Sequence, residues 1–192
     1  VLKHFTLTPR INLTERWYLS QIEKKWNVNS NSIITDTLHK FTRGHDYSFS
    51  TGLNTKIYGM VQFQKSKIAA IRHVITPNLS FSYKPDFSEE KYGYYKTVQN
   101  DEAAGSFEEY SILQNGIFGK PSKGKNGNIN FSLGNILEMK VRNNKDTVET
   151  LKKIKLLESL NISSSYNIFK DSLNLSQINL NVRTRLLNIF DI

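Results

Sequence analysis

Apolar residues recur at every second position in six stretches of the chain, the spacing that sends successive side chains to opposite faces of a β-strand. The first stretch reads Phe5, Leu7, Pro9, Ile11, Leu13, and the second Tyr47, Phe49, Thr51, Leu53, Thr55, Ile57. The third is Ile71, His73, Ile75, Pro77, Leu79, Phe81, Tyr83, and the fourth Ile129, Phe131, Leu133, Asn135, Leu137, Met139, Val141. Two more read Leu160, Ile162, Ser164, Tyr166, Ile168 and Ile178, Leu180, Val182, Thr184, Leu186. Each covers 9 to 13 residues. A tilted transmembrane strand needs about 9–11 residues, whereas strands of water-soluble proteins cluster near 5–6, so the lengths favour a membrane wall. The predicted fold is all-β: a segment of antiparallel transmembrane β-barrel with long polar loops, one partial barrel domain over residues 1–192.

The intervening positions support that choice. They hold Thr6, Thr8, Arg10, Asn12, Ser48, Ser50, Asn54, Lys56, Arg72, Thr76, Asn78, Ser80 and Ser82, with Val74 and Ile136 as exceptions. A face made of Ser, Thr and Asn differs from the Lys/Glu-rich solvent face of a soluble sandwich and suits a barrel lumen. Connections differ in length: Gln62 to Lys67 fits a tight turn, and Lys84 to Asn128 a long polar loop. Trp17, Tyr18, Tyr47 and Tyr83 stand at run ends, where amphipathic aromatics meet lipid headgroups. Two segments, Leu19, Ile22, Trp26 and Val148, Leu151, Ile154, Leu157, recur at helical spacing and predict short rim helices. Pro9 and Pro77 lie mid-run and offer no N–H to a ladder, so they are expected to weaken strand pairing.

The hydrophobic fraction of 38% is low for a soluble core, but a barrel dilutes its lipid-facing residues with polar ones that face inward. No run of about 18 apolar residues occurs, which excludes a transmembrane helix. The chain starts at Val1 without a basic region and apolar stretch behind it, so an export signal is expected outside it and the chain is read as an excerpt. The formal net charge is +9, and the polar positions of the six runs carry Arg10, Lys56, Arg72, Lys140, Arg183 and Arg185 against one acid, Glu138. Charge facing hydrocarbon costs about 2–4 kcal/mol at the midplane, so these six residues are expected to line a lumen and form a ligand path for anionic groups. Nucleic acid is the rival anionic partner, but the cations follow no basic helix, zinc finger or aromatic RNA-binding motif, and none is expected to bind.

Enzyme chemistry has little to stand on. His4, His39, His45 and His73 show no metal-ligand spacing, and no Gly-x-Ser-x-Gly elbow or phosphate-binding Gly-Lys-Ser/Thr loop is present. The pairs Glu89-Glu90, Asp101-Glu102 and Glu108-Glu109 lack a calcium-loop spacing. No catalytic residue, metal or cofactor is expected.

The run Ile71-Arg72-His73-Val74-Ile75-Thr76-Pro77-Asn78-Leu79-Ser80-Phe81-Ser82-Tyr83-Lys84-Pro85-Asp86-Phe87, followed by Tyr92-Gly93-Tyr94-Tyr95, resembles the barrel region of the LptD lipopolysaccharide-assembly proteins of the Bacteroidetes type. So does Leu160-Asn161-Ile162-Ser163-Ser164-Ser165-Tyr166-Asn167 with Asp171-Ser172-Leu173-Asn174. The resemblance implies a large outer-membrane barrel that receives lipopolysaccharide from periplasmic bridge proteins, works with a plugging, LptE-like outer-membrane lipoprotein, and releases the glycolipid sideways into the outer leaflet. The family's periplasmic jellyroll domain has no counterpart in these residues. Other outer-membrane barrels, such as a protein translocon or nutrient receptor, and a soluble glycan-binding β-sandwich are the alternatives.

Overall fold

A computed structural model of the chain describes residues 4–101, 105–142, 151–186 and 190–191. All six alternating runs form strands. The strands in chain order are β1 (Phe5–Tyr18), β2 (Gln21–Asn27), β3 (Ser32–Leu38), β4 (Thr42–Thr55), β5 (Ile57–Gln62), β6 (Ile68–Lys84), β7 (Tyr95–Gln99), β8 (Phe107–Ser111), β9 (Asn126–Arg142), β10 (Leu151–Asn167), β11 (Asn179–Arg183), β12 (Arg185–Leu186) and β13 (Phe190–Asp191). The runs map onto β1, β4 with β5, β6, β9, β10 and β11. These pair into one seven-stranded sheet of order β1-β4-β6-β9-β10-β11, with β5 also on β6. The sheet is open, with β1 and β11 at its edges, and the described strands close no barrel.

Two compact units divide the chain. The first comprises Val1–Arg10, Ser50–Ser82 and Gly127–Ile192, and the second Ile11–Phe49 and Tyr83–Asn126.

In the first unit, β5 and β6 form a hairpin whose register runs from Ile57↔Ile75 to Gln62↔Ala70. Its turn is the tight one expected after Gln62, closed by the Phe63 N–H donating to the Ala69 carbonyl at 3.0 Å. Arg142 pins that turn: Nη2 donates to the Phe63 carbonyl at 2.6 Å, Nη1 to the Ser66 carbonyl, and its backbone N–H to the Lys67 carbonyl.

The helical spacing of Leu151, Ile154 and Leu157 belongs to a strand. Their segment is the start of β10, antiparallel to β9 with register shifts between Lys155 and Leu157 and again between Leu157 and Leu160. Each shift inserts one extra residue, a β-bulge that moves the following side chains to the other face. Ile154, Leu157, Leu160 and Ile162 therefore all stand opposite odd-numbered positions of β9, namely Met139, Leu137, Asn135 and Leu133. Two bulges make a period-two face look helical in sequence. Val148 lies outside the described residues.

In the second unit, the segment predicted as a rim helix from Leu19 to Trp26 is β2, paired with β3 from Gln21↔Leu38 to Asn27↔Ser32. The stretch from Lys84 to Asn128, expected to be a plain polar loop, is built: a 3-10 turn at Glu90–Tyr92, the β7/β8 hairpin and a packed core. That core gathers Tyr18, Ile22, Phe87, Tyr94, Val98, Tyr110, Ile112 and Leu113. The Ile22 N–H donates to the Ile112 carbonyl at 2.9 Å and the Ile112 N–H to the Tyr94 carbonyl at 3.0 Å, linking the two hairpins. Tyr18 is thus a core residue, its hydroxyl donating to the Gly119 carbonyl, and not a headgroup aromatic. Trp17 is exposed, with its ring edge-on to Phe41 at 6.2 Å.

Asp86 ties this unit's loops together. Its Oδ1 accepts from the Ser88 N–H at 2.9 Å, the Ser88 hydroxyl at 2.7 Å and the Gly124 N–H at 2.8 Å. Burial pushes its carboxyl up, but these bonds and the nearby Lys123 outweigh burial and hold it below the ordinary 3.8. A carboxyl lowered on folding contributes stability that is complete above its unfolded value and lost as pH falls through the folded one. Hydrogen exchange at the Gly124 amide should stay protected down to pH 3.8 and lose protection only below it. In Asp86→Ala that protection should be lost at neutral pH.

Candidate functional site

The polar positions of the first unit converge on a cleft of about 250 Å³ lined by Met60, Ala70, Arg72, Glu138, Lys140 and Lys153. Met60 and Arg72 are partners across the β5/β6 hairpin, and Lys140 and Lys153 across β9 and β10. Glu138 is buried, its carboxylate 2.9 Å from the Lys153 ammonium and 4.0 Å from the Arg72 guanidinium. Arg72 also lies over the Tyr58 ring, 5.4 Å from its centroid. A cation on an aromatic face gains roughly 0.5–1 kcal/mol at an exposed site, enough to bias the guanidinium's orientation.

Of the six cations that sequence assigns to a ligand path, Arg72 and Lys140 meet in this cleft. Arg183 pairs with Glu158 at 3.5 Å, away from it. Arg10 is exposed on β1, and Lys56 occupies the break between β4 and β5. The Arg185 side chain lies outside the described residues. Lys153 is the member that sequence reasoning missed. It falls in the segment whose bulges disguise the strand, and its signal was the Lys152-Lys153-Ile154-Lys155 cluster.

A second polar cleft of about 230 Å³, without a charged residue, includes Asn78, Asn130, Ser132, Ser163, Ser165 and Asn179. Ser132 and Ser163 are register partners. Uncharged hydroxyl and amide groups of this kind can both donate and accept hydrogen bonds.

The apolar positions make the opposite face. Leu133, Ile162 and Leu180 align across β9, β10 and β11, and Leu160 aligns with Val182 beside them. Leu133, Leu180 and Val182 are exposed, the last two at 61% and 50%. Pro77 continues the central strand β6 and lines an apolar cleft of about 330 Å³ with Phe5, Leu53, Leu79, Phe131 and Leu133. Pro9 sits in the edge strand β1, the ordinary place for a residue without an N–H.

One polar pair interrupts this face. The Asn135 amide donates to the Leu133 and Leu160 carbonyls at 3.4 and 3.5 Å, leaving its Oδ1 to accept from His73 Nε2 at 3.1 Å. The pair joins β6 to β9, and the Asn135 amide reaches β10 at Leu160, where the second register shift ends. Among the described residues no cluster of three His, Cys, Asp or Glu has metal-site geometry. Of the acidic pairs noted in sequence, Glu108 meets Lys24 at 2.9 Å, Glu109 meets Lys123 and Glu89 meets Lys91 at 2.6 Å, while Glu102 lies outside the described residues.

The family described as LptD protein matches the chain over residues 1–192. No curated protein and no solved structure matches it.

Removing the Asn135 amide takes the acceptor from the His73 imidazole and a donor from the Leu133 and Leu160 carbonyls. Asn135→Ala should cost about 1–3 kcal/mol, read as a lower urea midpoint of the full-length protein in lipid vesicles.

Proposed function

The chain belongs to the LptD protein family, whose members are outer-membrane proteins of lipopolysaccharide transport, and from that premise we propose that its long strands are part of a transmembrane barrel wall that delivers lipopolysaccharide to the outer leaflet. The observation that carries this reading is the exposed apolar face. A soluble sandwich covers such a face with a second sheet. Here Leu7, Ile11 and Leu13 of β1 are 61%, 76% and 68% exposed, and Leu133, Leu180 and Val182 of the β9/β10/β11 row are exposed beside the half-buried Leu160 and Ile162. A contiguous apolar surface of that kind calls for lipid or protein against it. The strands β1, β4, β6, β9 and β10 hold 14 to 17 residues, more than the span of a bilayer requires.

In this reading the Ser/Asn and cationic positions face the lumen, and the glycolipid's phosphates and sugars travel along them while its acyl chains remain in the hydrocarbon. Arg10, Lys56, Arg72, Lys140, Arg183 and Arg185 act as weak stepping sites. The task is transport and not catalysis. A plugging lipoprotein and periplasmic bridge proteins are the partners that such a barrel works with.

Photocrosslinking amino acids at positions 10, 72, 140 and 183 of the full-length protein in living cells should yield lipopolysaccharide adducts. Adducts arising only from positions 131, 180 and 182 would mean that the two faces are reversed. The prolines carry a second expectation, because restoring a ladder N–H at Pro77 should tighten β6. Pro77→Ala should slow glycolipid delivery several-fold, whereas Pro9→Ala at the sheet edge should do less. Unchanged delivery together with unchanged crosslinking between neighbouring strands would remove any gating role for either residue.

A further inference from the structure

The cleft beside Glu138 has a charge pattern that its own residues leave unbalanced. Lys140 and Lys153 are direct partners in the antiparallel register, and like charges held opposite each other destabilise a strand pair. Arg72 is the third cation of the cleft, and Glu138 the single carboxylate among the described residues that line it. The Glu138 side chain is 11% exposed, while those of Arg72 and Lys153 are 48% and 54% exposed. Lys155 stands opposite Glu138 in the register but pairs with Glu158 at 3.6 Å. Three cations and one acid leave two positive charges in excess on one small concave surface.

We propose that this cleft binds a phosphate monoester, whose oxygens bridge Lys140, Lys153 and Arg72 while Glu138 serves as the resident counterion. Charge selects the ligand class. A phosphate monoester carries about −1.5 to −2 at neutral pH, which matches the excess, whereas the carboxylate of an acidic sugar carries one charge and leaves the lysine pair half compensated. Geometry agrees with charge, since a guanidinium offers a fork of donors to two phosphate oxygens and lysine ammoniums add point charges from the facing strand. Tyr58 steadies the guanidinium from the side, and Met60 and Ala70 supply an apolar flank. Glu138 holds Lys153 and Arg72 when the cleft is empty and keeps the net attraction moderate, so a bound group can leave.

The cleft also has a place along the strands. Its residues lie near the β5/β6 turn, and short turns of outer-membrane barrels face the periplasm. Resting on the reading above, the site is a phosphate station at the entry end of the wall, and the uncharged Ser/Asn cleft lies farther along β9, toward its opposite end.

The test uses the full-length protein with its natural partners in detergent, and three probes: intact lipopolysaccharide, phosphatase-treated lipopolysaccharide and inorganic phosphate. Intact glycolipid should bind at least ten-fold tighter than the treated form, and millimolar inorganic phosphate should erase that preference. Lys140→Gln with Lys153→Gln should abolish the preference, and Glu138→Gln should enlarge it several-fold, an opposite sign that a merely structural role for these charges does not produce. All variants should keep the wild-type heat-modifiable migration on gels. Equal binding of the two glycolipids, an undiminished preference in the double lysine variant, or a reduced one in Glu138→Gln overturns the site. If neither glycolipid binds but the ³¹P resonance of inorganic phosphate broadens in a Lys140- and Lys153-dependent way, the site stands and the lipopolysaccharide reading falls.

Discussion

Successive side chains of a strand leave on opposite faces, so a sheet one layer thick has no interior in which to bury an apolar surface. The rest of this structure depends on that constraint. Among the described residues of its own unit the row Leu133, Ile162 and Leu180 has no second layer, and the opposite row of Gly134, Asn161 and Asn181 is polar. Backbone hydrogen bonds are satisfied strand to strand, which leaves the side chains to choose the medium on each side. A hydrocarbon environment on one face and water on the other satisfies both rows at once.

The second unit solves the same problem in another way. Where the chain leaves the long strands it makes two short hairpins, β2/β3 and β7/β8, and lays them together over Tyr18, Phe87, Tyr94 and Leu113. The side chains here form an ordinary small core, with Tyr94 bonding to His45 and Tyr95 to the Pro121 carbonyl. Polar anchors such as Asp86 replace the extended ladder. Two kinds of stabilisation thus occur in one chain: ladders between long strands in one unit, and tertiary packing in the other.

Strand identity was legible because period-two alternation survives wherever pairing is regular, as in Ile71 to Tyr83 and Ile129 to Val141. Legibility failed for three physical reasons. Bulges in β10 shift parity and imitate a helix, so Ile154, Leu157 and the neighbouring Lys153 escaped the count. Short hairpins such as β2/β3 bury few side chains, Ile22 in β2 and none in β3, and Ile22 and Trp26 alone do not define a period. The stretch after Lys84 is rich in Gly, Ser and Lys, yet Phe87, Ile112 and Leu113 are enough to nucleate a core once distant segments meet. The cationic cleft was half visible: Arg72, Glu138 and Lys140 declared themselves by parity, but their convergence with Lys153 depends on a register that no local pattern encodes.

The Ile22 to Ile112 hydrogen bond has a consequence for the order of folding. Its partners are far apart in sequence, and closing so large a loop costs entropy before any contact repays it. The β5/β6 hairpin lies inside that loop and shortens it, because pairing Ile57 with Ile75 draws Phe49 and Tyr83 toward each other along the chain's shortest path. Arg142, by clamping the Phe63–Lys67 turn, holds that shortcut in place once β9 arrives. On loop-closure entropy alone the small core costs less once those strands are paired, because Phe87 and Leu113 then reach Tyr18 and Ile22 across a chain segment already drawn short.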